Sequence, residues 1–332
     1  MNLRQIPKVE LHRHLELCVR HSTIKELAPQ VGIDLPSEQA FRDKFLITEP
    51  MADLGSVLNK FLDTQKLWSS EEIIERLTFE ACEDAYQEGI RILELRYAPS
   101  FLVEGHKELD FNKAHQAVVR GCKQAEKKFG MATGLICIAQ RIFSVDVATK
   151  VFNFAFENQD SFVGVDLADN EVGFDSKPFA HLFEKARELG FGITVHSGEA
   201  DVPNAPRYVR EAIDYLCAQR IGHGLQIHRD PETMDYVKEK GVVLELCPTS
   251  NWLTNAVQSF DEHPFRKLME YGVKTTINSD DPGIFNIDLT NEYEVLQKHQ
   301  GITLEEFQKC NEIAFHASFI KPEKKQQAWE NT

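Results

Sequence analysis

The chain has no surplus of positive charge, and 52 acidic residues against 37 basic ones leave a formal net charge of −15. Nucleic acid and anionic membrane are poor partners for such a surface, because phosphate recognition needs a basic face. A small neutral or weakly charged ligand suits it better. A disulfide frame is also missing: the seven cysteines are odd in number, contain no CxxC pair and scatter from Cys18 to Cys310. That usage fits reduced thiols in the cytoplasm. No run approaches the roughly 18 apolar residues of a membrane span, and Met1 to Glu10 has no apolar leader core. There is no Pro/Gly/Ser linker, low-complexity tract or short repeat to divide residues 1–332, and nothing sets an oligomeric state. Absent too is a GxGxxG turn after the first strand candidate, which argues against an open dinucleotide-type sheet.

What is present is ordinary for a globular protein, with 42% apolar and 27% charged residues. Its organisation is an alternation of strand-like and helix-like stretches. Strand candidates are 9–14, 90–97, 134–139, 162–167, 192–195, 220–224, 242–246 and 273–277, and helical periodicity fills the intervals between them. Eight such units predict an α/β chain closed into a (β/α)8 TIM barrel, with extra helices between strands 1 and 2. Thr23 to Glu26, Ser69 to Glu72 and Thr303 to Glu306 match the capping-box pattern of a helix start. The apolar segment 41–68 is long for a connection and offers a roof for a pocket, with packing outside the barrel as the plainer fate of most of it. The charged tail 320–332 is expected to fray.

In a barrel all strand C-termini surround one mouth, so the polar residues that end the strands gain meaning together. The first candidate strand ends in His12-Arg13-His14, whose two imidazoles share a face because residues two apart project together. The fifth runs Ile193-Thr194-Val195 and breaks into His196-Ser197-Gly198-Glu199. The sixth ends at His223, and the eighth leads to Asp280-Asp281. A lone histidine is more often a packed or surface residue. Several at four strand ends, with carboxylates beside them, suit a Zn²⁺ ion with room for water. Zinc lowers the pKa of its water from about 16 to about 7, and a nearby acid and imidazole could then move protons.

The ordered motifs VELHRHLE, ELRYAPS, VDLADNE, TVHSGE, RIGHG, CPTSN and TINSDDP resemble the adenosine/adenine deaminase family of metal-dependent barrel enzymes. The resemblance spans about Pro7 to Phe319. It implies one zinc per chain on His12, His14, His196 and Asp280, and Glu199 as the acid that protonates purine N1. It further implies that His223 orients or deprotonates the water and that Asp281 hydrogen-bonds purine N7. The reaction implied is hydrolysis of a 6-aminopurine, adenosine or deoxyadenosine foremost, to the 6-oxopurine and ammonia.

Three positions depart from the family pattern and bear on substrate. Glu16-Leu17 stands where Asp-Gly or Glu-Gly is usual, Asp169 where a glycine contacting purine N3 is common, and Asn255 where a glycine is usual. Glu16 and Asp169 are therefore candidates for substrate binding. Adenine and N6- or 5′-modified adenosines remain alternative substrates. A two-metal phosphoesterase would need further ligands from Asp166 or Glu171, and a silent purine-binding relative would need neither Glu199 nor an activated water.

Overall fold

A computed structural model describes residues 3–330. Eight parallel strands lie in sequence order: β1 Lys8–His14, β2 Ile90–Tyr97, β3 Ala132–Gln140, β4 Phe162–Ala168, β5 Gly192–Ser197, β6 Arg220–His223, β7 Val243–Leu246 and β8 Lys274–Ile277. Each neighbouring pair from β1 to β8 is parallel, as crossover helices require. The ring closes just beyond β8: the Asp280 amide donates to the His12 carbonyl at 3.0 Å, and the His14 amide to the Asp280 carbonyl at 2.9 Å. The result is the expected (β/α)8 barrel, and its closure already sets Asp280 between the two histidines of β1.

Helices cover the barrel because their apolar stripes need burial. In the helix Phe111–Phe129, Ala114, Ala117, Val118, Cys122 and Ala125 face inward at spacings of three and four, Asp110 caps the start through Lys113 N and Gly130 ends it at φ 68°. Inside the barrel the side chains are charged instead of branched and apolar. Arg96 of β2 bridges Asp166 of β4 (2.8 Å) and Glu245 of β7 (2.7 Å), and Arg220 of β6 bridges Glu245 (2.6 Å) and Glu94 of β2 (2.7 Å). Breaking such buried pairs one partner at a time leaves a stranded charge, so they hold the strand ends in register.

The end of the barrel away from the site is stoppered by Phe319. Its ring lies 3.7 Å from the Arg220 guanidinium, and a β-carbon on Gly192 would fall 2.1 Å from Phe319 Cγ. Gly192→Ala is therefore expected to destabilise the fold by about 1–3 kcal/mol, the usual cost of overpacking. Urea unfolding would register this as a lower midpoint with an unchanged slope, and a wild-type midpoint would refute the packing account.

Several boundaries differ from the sequence reading. Thr23 lies inside the helix His21–Leu27, where its hydroxyl donates to Glu80 at 2.7 Å and caps nothing. Ser70, and not Ser69, caps the helix Glu71–Gln87 by accepting from Ile73 N. Only the Thr303–Glu306 box forms reciprocally as read. The tail does not fray over 322–330: the helix Pro322–Glu330 buries Ala328 against Val9, Leu11, Ile92 and Ile320, and Lys325 Nζ donates to the Phe315 and Ser318 carbonyls. Alternating charge hid this docking, because only one small residue and a lysine stem are buried. Segment 41–68 divides its roles: Phe41, Phe45, Leu67 and Trp68 join the main core, while Leu54, Val57, Leu58 and Phe61 roof a pocket at the barrel mouth.

Candidate active site

Strand geometry brings the polar strand ends together. His14 Nε2 lies 3.2 Å from His196 Nε2 and 3.3 Å from Asp280 Oδ1, and His12 Nε2 lies 3.1 Å from the same oxygen. His12, His196, His223 and Asp280 also offer ligand atoms that all fall within 4.8 Å of one another. Three histidines and an aspartate are more than packing requires, and His12 Nε2 is buried without a hydrogen-bond partner. Tetrahedral donors about 2.1 Å from an ion stand about 3.4 Å apart, so these residues fit a divalent cation. Gly222 belongs to the fit, since a β-carbon there would meet His12 Cε1 at 2.8 Å. His223 and Asp280 both take φ 63°, a left-handed backbone disfavoured for residues with a β-carbon.

The outer ring nitrogens explain why the inner ones converge. His12 Nδ1 meets Glu245 Oε2 at 2.8 Å, and His196 Nδ1 meets Asp166 Oδ2 at 3.0 Å. Each contact places the proton on Nδ1 and leaves Nε2 as the inward lone pair. Burial would raise both acids, but His196 and Arg96 hold Asp166 below the usual carboxylate range, and Arg96 and Arg220 do the same for Glu245. Arg96 thus serves both histidines. Its role was not read from the sequence, although Glu94 and Arg96, two apart and flanked by apolar residues in β2, were a visible sign of a charged barrel interior. Asp166 is fully engaged here, and Glu171 accepts the amides of Gly198, Glu199 and Ala200 at 2.7–2.8 Å. Neither carboxylate is available to bridge a second metal.

Glu199 and His223 stand beside this cluster, His223 Nε2 lying 3.5 Å from Glu199 Oε2 and 3.8 Å from Asp280 Oδ2. Burial, then the charges of Asp280 and Glu171, push the Glu199 carboxyl well above its ordinary range. Its protonated form is thereby favoured over that of an ordinary carboxyl. Burial pushes His223 well down, keeping its imidazole neutral. Asp281 is raised by burial and by Asp280, and its buried Oδ1 has no partner. A carboxyl whose protonated form is favoured in this way, with a free oxygen beside the pocket, can donate to a ring nitrogen. Asp280, by contrast, is held low by His12 against the upward push of burial, and it accepts from Ser250 Oγ at 2.7 Å.

The pocket continues past His14 between Leu17, Leu58, Phe61, Phe101 and Ile138. Glu16 lines it: one carboxylate oxygen accepts the Ala98 amide at 2.6 Å, the other is buried without a partner, and burial pushes the group up to about 8. Asp169 faces the same space and accepts from Gln140 Nε2 at 3.1 Å. Asp169 at φ 81° and Asn255 at φ 60° keep the left-handed backbone that glycine would take for nothing, a conformation Asp and Asn tolerate better than other residues. Leu17 lines the pocket and also joins an apolar cluster with Ile47, Val57 and Leu253. Its substitution for glycine thereby ties the roof to the β1 loop.

Comparison with known proteins bears on the chemistry. The sequence profile described as adenosine deaminase matches residues 7–331. An adenosine deaminase of Plasmodium falciparum is 36% identical over 324 residues, covering 96% of this chain and 87% of that protein. Among solved structures, an adenine deaminase from Arthrobacter aurescens superposes with a TM-score of 0.87 at 27% identity, covering 98% of both chains. An amidohydrolase from Burkholderia ambifaria with bound zinc gives 0.89 at 27% identity, covering 99% of this chain and 90% of that one. With a metal-capable cluster of histidines and aspartate at the mouth of a (β/α)8 barrel, a buried glutamate beside it and a profile match along nearly its whole length, the chain belongs to the adenosine deaminase family, hydrolases that act on C–N bonds.

Proposed function

We propose that residues 7–331 work as one unit that hydrolyses the C6–amino bond of a 6-aminopurine, adenosine or deoxyadenosine first, releasing inosine or its deoxy counterpart and ammonia. The observation that carries the reading is the convergence of His12, His14, His196 and Asp280 beside a Glu199 whose carboxyl burial pushes upward. Zinc is the ion we assign to those four residues. A nitrogen-rich set with one carboxylate suits it, and a relative 27% identical carries zinc. When bound there, the ion supplies acidification of a water, whose pKa falls from about 16 to about 7.

The protein's own groups then do the rest. Glu199 gives its proton to N1, which draws electrons from C6 and opens that carbon to attack by water. Asp281, protonated and with Oδ1 unpaired, donates to N7 and fixes the ring. His223 either orients the attacking water or takes its proton. The C6 hydroxyl then loses its proton to become a carbonyl as the amino group takes one up and leaves as ammonia, so that the two protons of water end on ammonia and on Glu199. Glu16 and Asp169 line the remaining pocket and meet the part of the substrate beyond the purine. The cytoplasm is the compartment we assign, supported by the free state of all seven cysteines; among the described residues no helix is long and apolar enough to cross a membrane.

The substrate class has a direct test. Metallated protein, with metal content measured on the same sample, is expected to convert adenosine or deoxyadenosine with the ultraviolet change of deamination. Faster conversion of adenine, or of an N6- or 5′-modified adenosine, would move the assignment to that alternative; the likeness to an adenine deaminase supports the first of these. No conversion of any 6-aminopurine by metallated protein would sink the deaminase reading for this chain.

A further inference from the structure

Behind His223 runs a buried relay whose proton positions can be worked out from one end. The Phe265 backbone amide, which can only donate, points at His263 Nδ1 at 3.2 Å. His263 Nδ1 is therefore an acceptor, and in a neutral ring its proton sits on Nε2. Burial holds His263 down at about 3, so the ring is neutral. His263 Nε2–H then donates to Asn251 Oδ1 at 3.1 Å. With its oxygen assigned, the other end of Asn251 is the amide nitrogen, which donates to His223 Nδ1 at 3.0 Å. His223 Nδ1 is an acceptor in turn, and its proton is forced onto Nε2, the atom that faces Glu199 and Asp280. His223, Asn251 and His263 are 1%, 0% and 3% exposed, so water does not compete for these bonds.

We infer that Asn251 and His263 are positioning residues that lock His223 as its Nε2–H tautomer, so that His223 meets the attacking water as a hydrogen-bond donor and not as a proton acceptor. This deepens the deaminase reading and rests on it, since it decides between the two roles that reading leaves to His223. The choice of asparagine is what makes the relay directional. An aspartate at 251 would accept from both imidazoles and turn His223 over to Nδ1–H, leaving a basic Nε2 in the site. Asn251 is also held from its backbone: its amide donates to the Cys247 carbonyl, and its carbonyl accepts from Ala256 and Val257. The side chain therefore reaches both rings from a fixed base.

The test is ¹⁵N NMR of protein labelled at histidine, with His223 assigned from the signal missing in His223→Asn. Two-bond correlations separate a protonated ring nitrogen from an acceptor nitrogen, and they are read without substrate. Wild-type protein is expected to show His223 with Nε2 protonated and Nδ1 accepting. Asn251→Asp is expected to interchange the two and to lower kcat by about 10²-fold or more with little change in KM, as for a catalytic histidine held in the wrong tautomer. Should that variant fold poorly, His263→Phe keeps the ring volume and frees Asn251 to turn over, and both His223 tautomers should then appear. A wild-type His223 protonated at Nδ1, or an Asn251→Asp protein with unchanged tautomer and kcat, would overturn the relay. An Nε2–H signature in protein that converts no 6-aminopurine would uphold the relay and remove only the reaction.

Discussion

Glu199→Gln is expected to lower kcat by about 10²–10⁴-fold, the range contributed by general acid catalysis, while metal content, KM and thermal midpoint stay near wild type. Glutamine has the size of the acid and can still donate a hydrogen bond to N1, so ground-state binding survives. It has no proton to give, so N1 stays neutral as charge builds on it. The loop will not move, because Glu171 grips the amides of Gly198, Glu199 and Ala200 regardless of the side chain at 199. The same acid sets one limb of the pH profile. Its folded pKa is raised above the ordinary 4.5 by burial, Asp280 and Glu171, so activity that needs the protonated form persists through the acidic range and falls as pH rises through the raised value. Steady-state kinetics of both proteins across pH, with metal analysis, checks this. A variant within about threefold of wild type would remove Glu199 from proton transfer.

The barrel and the metal-capable cluster were legible because strand ends are where a short polar motif stands out against a β-branched run. His12, His14, His196, His223 and Asp280 each follow such a run, and eight alternations are enough to predict that they share a mouth. The residues that orient them were not legible for the opposite reason. Arg96, Asp166 and Glu245 sit inside strands whose neighbours are apolar, and a charge there reads as a blemish on a pattern until its partner across the barrel is known. Asn251 lies in the short helix Pro248–Leu253 and His263 in the loop beyond it, and they meet only through the fold. Phe319 resembles any apolar residue near a helix end, and Gly164 and Gly192 look like weak points in strands until its ring is found against them. Asp169 and Asn255 show a subtler limit. A side chain where the family pattern suggests glycine would imply a changed backbone, yet both residues adopt the left-handed conformation glycine takes freely and add a side chain to it.

His196→Ala should cost the protein its metal as well as its activity, and the two losses should track one another. His196 Nε2 is 3.2 Å from His14 Nε2, and its Nδ1 is held by Asp166, so the variant loses one inward nitrogen of the proposed set and leaves Asp166 facing Arg96 alone. A site reduced to two imidazoles and a carboxylate binds zinc less tightly, and the remaining ring, His14, has no carboxylate of the kind that fixes His12 and His196 to steady it. Dialysed variant is expected to retain well under one metal ion per chain and to lose about 10³-fold or more in kcat/KM, since a water that is no longer acidified is a poor nucleophile at neutral pH. Adding excess zinc during assay separates affinity from chemistry. Recovery of most of the rate would mean that His196 only tightens the site, whereas a residual loss of at least about tenfold at saturating zinc would mean that it also sets the geometry in which Glu199, three residues further along the same loop, meets N1. A variant that stays fully metallated and active would sink the assignment of His196 as a ligand, and with it the reading of the β5 strand end as the centre of the site.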